Sequence, residues 1–171
     1  MAEDRRRRKG DRRRRVLLDA TLRVVAAHGV AGVSQRAVAA AAGLPPSTVF
    51  YYFPTVDDLL VAALIADNDR CVADLTAITG MAALAALIAD YARPGRAQWE
   101  LWLMAARRPE LRGEIDRWYA ALDALAATLV ADPAARPAFT AAVEGLLLRA
   151  SLGPVDTAAV LRHFEADGDE N

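Results

Sequence analysis

Apolar residues recur at three- and four-residue steps through most of the chain, and nowhere alternate long enough to make a strand. Over residues 12–28, Val16, Leu17, Ala20, Val24 and Ala27 share one helical face, and Gly29 stands where a glycine would stop that helix. Ser34 is placed to cap a second helix over residues 35–42, which Gly43 ends. Leu44-Pro45 makes a turn, and Pro46 suits the first position of a third helix reaching Phe53, stopped by Pro54. Thr55 caps a fourth helix, with Asp57 and Asp58 in the first turn, where the helix dipole favours negative charge. That helix is expected to run to Thr79, before Gly80.

Beyond it the pattern predicts helices over residues 81–91, 96–107, 111–131, 135–151 and 155–166. Their limits come from Pro94-Gly95, Pro109, Pro133, Pro137 and Gly153-Pro154. Residues 1–11 are charged and aperiodic and read as a flexible basic arm; residues 167–171 read as a disordered polar tail. The expected chain is all-α, with a compact head over residues 12–54 and a helical body over residues 55–166. Hydrophobic residues make up 54% of the composition, much of it alanine, and aromatics only 6%, which favours helix over sheet again.

Charge divides the chain where the pattern does. Residues 1–53 hold eleven basic and four acidic side chains, and the remainder ten basic and eighteen acidic. A basic head on an acidic body suits a protein whose head meets a polyphosphate, though two solvated faces of opposite sign give the same count. Cys71 is the single cysteine, so no disulfide forms within the chain, and a reducing, cytoplasmic setting is expected. No apolar run reaches the ~18 residues a membrane span needs, so no membrane partner is expected. Asp19 and Arg23 interrupt the apolar stretch after the arginines, which argues against a secretory signal.

Residues 33–53 carry the most specific signal. Two short helices joined by a tight turn, the second free to enter a major groove, are the requirements of a helix-turn-helix. Ala39 is small where the helices approach, Gly43 permits a left-handed turn, and Val38, Ala42, Leu44, Val49 and Phe53 supply inward positions. Over residues 14–64 the chain resembles the TetR family of bacterial regulators. The resemblance rests on the first helix and on Val33-Ser34-Gln35-Arg36-Ala37-Val38-Ala39, Ala42-Gly43-Leu44, Ser47-Thr48-Val49-Phe50-Tyr51-Tyr52-Phe53 and Asp57-Asp58-Leu59-Leu60. Trp99-Glu100-Leu101-Trp102-Leu103, with the segment from Ala105 to Arg112, resembles an actinobacterial-type C-terminal subgroup.

That resemblance implies a regulator, probing double-stranded operator DNA as a homodimer and released from a palindromic site by a small-molecule effector. Face and resemblance together give Arg36 as the candidate for a bidentate guanine contact, with a phosphate contact as its alternative. Pro46, Ser47 and Tyr51 take positions that touch bases; Gln35, Thr48 and Tyr52 take phosphate-contacting positions. Of the aromatic run, Phe53 is expected in the core. The sequence departs from the family pattern at Pro45, where a capping Ser or Thr is common, at Phe50, which lacks a tyrosine hydroxyl, and at Val56, which replaces a phosphate-binding lysine. The arginines at 5–8 and 12–15 either add phosphate contacts or form a solubilising tail.

By the same resemblance the last long helices form an intersubunit bundle. Leu122, Leu125, Leu129, Phe139, Val143, Leu146 and Leu147 are the candidates there, or else belong to the body's own core. Tyr91, Trp99, Trp102, Met104, Trp118 and Tyr119 either line an effector pocket or pack as ordinary core. Catalysis finds no footing: His28 and His163 stand near opposite ends, no glycine-rich phosphate loop occurs, and no ligand spacing calls for a metal or cofactor. The rival class is a nonspecific architectural DNA-binding protein with the same basic head.

Overall fold

The computed structural model describes residues 1–91 and 98–165. Among them lie nine α-helices and no strand: α1 (Ala2–His28), α2 (Gln35–Ala42), α3 (Pro46–Tyr52), α4 (Val56–Thr76), α5 (Met81–Tyr91), α6 (Gln98–Ala105), α7 (Arg112–Leu129), α8 (Arg136–Leu152) and α9 (Thr157–Leu161). The chain divides into two compact units. The first holds described residues 1–67 and 98–107, the second residues 68–91 and 108–165.

In the first unit Leu17, Leu18, Val24 and Val25 of α1 are buried, together with Val38 and Ala39 of α2, Val49 of α3 and Leu59, Leu60 and Leu64 of α4. Thr21 is fully buried on α1 without cost, because its hydroxyl donates to Leu17 O at 2.8 Å. Gly29 ends α1 at φ 69°, and the Glu100 carboxylate of α6 caps the following turn, accepting from the Val30 amide at 2.6 Å. Residues 2–11, expected as a flexible arm, are helical. α1 begins at Ala2, so residues 2–11 continue the first helix by almost three turns. Arginine is among the better helix formers, and Asp11 offers opposite charge to neighbours one turn away. Gly10 is the weak point, and it lies beside Tyr52: a Cβ there would sit 3.6 Å from the Tyr52 hydroxyl oxygen.

The second unit is built on α5, α7, α8 and α9. Leu84, Ile88 and Tyr91 of α5 are buried, as are Leu122 and Leu125 of α7 and Phe139, Val143 and Leu147 of α8. Arg136 Nε donates to Val130 O at 3.0 Å, closing the connection from α7 to α8. Asp156 caps α9, accepting from the Ala159 amide at 2.9 Å, and Phe164 meets Phe139 edge-on at 5.3 Å.

Several helices end short of their expected limits. α4 stops at Thr76 rather than Thr79, where Thr76, Ile78 and Thr79 bring β-branched side chains that lower helix propensity. Residues 109–111 form a single 3₁₀ turn ahead of α7, and residues 162–164 another after α9. The expected helix over 96–107 appears as Gln98–Ala105; its start, the Pro94-Gly95 boundary, residue 166 and the expected tail at 167–171 lie outside the described residues.

Candidate nucleic-acid interface

The turn between α2 and α3 is set by three local devices. Ser34 caps α2, its hydroxyl oxygen accepting from the Ala37 amide at 3.1 Å. Gly43 adopts φ 64°, ψ 33°, and the Leu44 amide reaches back to Ala39 O at 3.0 Å, closing a Schellman turn. Pro45 then precedes α3 in extended conformation without a side-chain cap, and Pro46 opens the helix, where its missing N–H is not needed. Thr55 and Asp58 start α4 with a reciprocal pair: the Asp58 amide donates to Thr55 Oγ1 at 3.0 Å, and the Thr55 amide to Asp58 Oδ2 at 3.1 Å.

These devices sort the side chains of the α2–α3 pair by face. Val38, Ala39, Val49 and Phe53 are buried, while Arg36, Pro46, Ser47, Phe50 and Tyr51 are exposed. Tyr51 is 82% exposed, an unusual position for so large a ring, and Tyr52 meets it edge-on at 5.1 Å. Thr48 and Tyr52 are half-buried at the margin. The four aromatics of the run therefore divide as a helix requires, with Phe53 in the core at 3% exposure.

The Gln35 side chain is held within the head. Its Nε2 donates to both Phe53 O and Pro54 O at 2.9 Å, so both amide hydrogens are used inside the unit. Gln35 ties the start of α2 to the end of α3. Arg14, one of the arginines of the N-terminal run, is also engaged internally: its guanidinium lies over the Phe53 ring, 5.4 Å from the centroid. Arg23 joins α1 to the C-terminal end of α2 through a 2.9 Å bond to Ala41 O. The basic residues Arg5, Arg7, Arg8, Lys9, Arg12, Arg13 and Arg15 are exposed along α1, where Asp11 and Asp19 share a shallow depression with Arg8, Arg12 and Arg15.

The residues expected at an effector pocket fall in both units. Trp99, Trp102 and Met104 are half-buried on α6 in the first unit, and the Trp99 indole N–H is buried without a hydrogen-bond partner. In the second unit Tyr91 and Trp118 are buried, the Tyr91 hydroxyl donating to Cys71 Sγ at 3.4 Å. Tyr119 is 46% exposed; partial burial and then the neighbouring Glu144 charge raise its phenol above the ordinary value. Of the expected dimer residues, Leu122, Leu125, Phe139, Val143, Leu146 and Leu147 are at most 4% exposed and form the interior of the second unit, with Leu129 half-buried. Among the described residues of that unit the exposed large apolar side chains are Tyr119 on α7 and Leu148 and Leu152 on α8. Periodicity alone shows which positions are apolar, and two apolar faces on one helix are not told apart by it.

Asn68 is a residue that periodicity does not single out as functional. It stands in the apolar register of α4, four residues after Leu64 and three before Cys71, and that break in an otherwise apolar stripe is its one signal in the sequence. Among the described residues no single helix is long and apolar enough to cross a membrane.

Residues 17–63 match the family described as bacterial regulatory proteins, tetR family, and residues 74–166 match the tetracyclin repressor-like C-terminal domain. The HTH-type transcriptional regulator BetI of Rhizobium meliloti (strain 1021) is 31% identical over 186 residues, covering 92% of this chain and 92% of that protein. A solved TetR-family structure from Streptomyces coelicolor A3 aligns with a TM-score of 0.66 and 34% identity, over 90% of this chain and 98% of its own. The multidrug binding protein EbrR, crystallised with ethidium, aligns with a TM-score of 0.63 and 33% identity, over 89% and 95% of the two chains.

Proposed function

The chain belongs to the TetR family of bacterial transcriptional regulators, a family of regulators and not of enzymes, and on that premise we propose that it is a repressor that reads a palindromic operator as a homodimer and leaves it when a small molecule binds. The observation that carries the reading is the sorted face of the helix-turn-helix. Arg36, Pro46, Ser47 and Tyr51 are exposed together on α2 and α3, while the residues that fix the angle between those helices are buried. Arg36 offers a fork for guanine, and Tyr51 a ring for a thymine methyl and a hydroxyl for phosphate. Thr48 and Tyr52, at the margin, hold the register through the phosphates.

The helical extension of α1 adds to this face. It carries exposed Arg5, Arg7, Arg8, Lys9, Arg12 and Arg13, and its Gly10 lies against Tyr52 at the C-terminal end of α3. A recognition helix seated in the major groove brings that end near the sugar-phosphate backbone. The extension thus supplies phosphate-binding groups in place of those missing at Phe50 and Val56. They strengthen binding to any sequence alike.

A palindromic operator needs two such heads at a fixed spacing. The second copy docks on α7 and α8 through Tyr119, Leu148 and Leu152, with Gly145 and Ala141 on the same stripe of α8 allowing close approach. EbrR binds ethidium, which supports an effector for this chain too. Its binding acts by population shift, favouring a spacing of heads that fits the operator poorly.

Titrating a labelled duplex from the gene's own upstream region, at two salt concentrations and against unrelated duplex, tests the reading. A specific regulator holds its site at least ~10³-fold over unrelated DNA. Salt-sensitive binding without discrimination, at this duplex and at fragments selected genome-wide, would establish the architectural alternative instead.

A further inference from the structure

Asn68 is the one side-chain amide that is buried among the described residues, at 1% exposure on α4. Its Nδ2 donates to the main-chain oxygen of Glu114 at 2.8 Å and to Glu114 Oε2 at 2.9 Å. Both partners are acceptors only, so turning the amide over would set oxygen against oxygen, and the orientation is fixed by chemistry. The Asn68 Oδ1 atom then has no hydrogen-bond partner although it is buried. A buried carbonyl oxygen with two unused lone pairs is costly to a fold, and native proteins keep such atoms where water or a ligand meets them.

The ion pairs beside it leave acidic charge in excess. Glu114 also accepts from Arg117 Nη1 at 2.8 Å, while Arg117 Nη2 donates to Asp69 at 2.7 Å. Two carboxylates thus share one guanidinium, and the Glu114 side chain, at 20% exposure, is the least solvated of the three. The flanking Asp67 and Arg70 are of opposite sign and carry interactions of their own. One turn along α4 from Asn68 lies Cys71, which receives the hydroxyl of buried Tyr91; one turn along α7 from Glu114 lies buried Trp118. A carboxylate that shares its guanidinium, with buried aromatic residues one turn away, suits an organic cation, and an unmet carbonyl adds a place for an N–H. No group of three His, Cys, Asp or Glu residues among the described residues is arranged to hold a metal ion, which favours an organic cation over an inorganic one.

We propose that Asn68 Oδ1 and the Glu114 carboxylate are the recognition point of an effector site for an organic cation bearing N–H groups. This rests on the reading of the chain as an effector-controlled regulator and names the chemistry of that effector. It also assigns Asn68 a second part: the cation competes for the Glu114 oxygen that Asn68 now holds, and Asn68 stands on α4, the helix that begins four residues after α3 ends. Seating the cation therefore changes the tie between α4 and α7 directly.

Ethidium and proflavin, both cationic dyes carrying amino groups, are titrated with the full-length protein in the absence of DNA. The comparison is between wild type, Asn68→Ala and Glu114→Gln, with uncharged Nile red as the control dye and thermal unfolding recorded for each. Saturable binding of at least one cationic dye by the wild type is expected, weakened at least tenfold in both variants, with Nile red binding in Glu114→Gln changed less than threefold. Glutamine at position 114 keeps an oxygen for Asn68 and Arg117, so it carries the test if the alanine variant loses its fold. Wild-type dye affinity in both variants would overturn the proposal and leave Asn68 Oδ1 to a buried water. Absence of saturable binding for either cationic dye, by protein that still binds its operator, would overturn it too. A folded protein that binds neither dye nor operator would sink the regulator reading along with it.

Discussion

The side-chain amide of Gln35 donates to the carbonyl oxygen of Phe53, the residue that closes α3, and to that of Pro54 beyond it. A residue at a phosphate-contacting position of the sequence thus acts as a brace between the two helices of the reading head. Replacing Gln35 by Ala leaves two carbonyls to water and lowers stability by about 1 kcal/mol, a downward shift of about 3 °C in Tm. Operator affinity falls with it, but the slope of log affinity against log salt stays at the wild-type value, because every phosphate remains paired as before. A slope reduced by about 0.9 in Gln35→Ala would restore the phosphate role.

Arg36 on α2 and Tyr51 on α3 are both exposed and carry different chemistry. Arg36→Ala removes the guanidinium fork and is expected to weaken operator binding by roughly 10- to 100-fold, with discrimination relaxed at one base pair of each half-site. Tyr51→Phe separates ring from hydroxyl: retained sequence preference with a lower salt slope assigns the hydroxyl to phosphate and the ring to a base. Binding to a set of single-substitution duplexes reads both outcomes. An equal weakening at every duplex for Arg36→Ala would place that residue on the backbone instead.

Gly29 and Gly43 both have positive φ, yet their substitutions should differ. Gly43, at φ 64° and ψ 33°, lies in the left-handed helical region with open space where a Cβ would go, so Gly43→Ala costs about 1 kcal/mol in strain alone. Gly29, at φ 69° and ψ 173°, lies in a region essentially confined to glycine, and a Cβ there would sit 3.2 Å from a Glu100 oxygen. Gly29→Ala is expected to cost about 2–3 kcal/mol and to lower Tm at least twice as far as Gly43→Ala. Equal shifts in thermal unfolding would contradict this.

The reading head is legible in the sequence because its boundaries are set by local chemistry. Ser34, Gly43, Pro46 and Thr55 mark helix ends through hydrogen bonds and backbone conformations that reach no further than five residues. The limits of α2 and the start of α3 coincide with those expected from them, and α5 fills the range expected after Gly80. What is not legible depends on partners distant in the chain. Asn68 meets Glu114 forty-six residues away, and Gln35 meets Phe53 eighteen away, so neither role follows from periodicity. The same limit explains the leucines of α7 and α8. Their spacing shows an apolar face, but only the packed unit shows that Leu122, Leu146 and Leu147 are turned inward while Leu148 and Leu152 are not. The basic run misleads for a different reason: dense charge without apolar periodicity suggests a loose arm, whereas arginine itself favours helix.

Removing residues 2–9 shortens α1 to Gly10, which lies beside Tyr52, and leaves Arg14 over Phe53 in place. The head is therefore expected to stay folded, with DNA affinity reduced at operator and unrelated duplex by the same factor. The salt slope falls by about 0.9 for each phosphate the extension had neutralised. Fluorescence anisotropy over a range of salt concentrations reads the slope directly. A slope equal to that of the full chain would mean that the extension touches no phosphate.

Leu148 is 43% exposed and Leu152 81% exposed, one turn apart on α8, and Gly145 precedes them with open space beside it. Complete burial of an exposed leucine is worth up to about 1.5–3 kcal/mol, and the second copy proposed above would supply that burial for Leu148 and Leu152. Leu148→Glu places a charge in the centre of that stripe, and a self-complementary interface meets the charge twice, once from each copy. Sedimentation should then show a monomer at micromolar concentration where the wild type is a dimer, with far-ultraviolet dichroism unchanged because the side chain lies outside the core. Operator affinity should fall by more than 100-fold, while affinity for a single half-site stays within about threefold, since each half-site engages one head only. A Leu148→Glu protein that remains dimeric would move the interface off this face of α8, and a wild type that sediments as a monomer would remove it altogether.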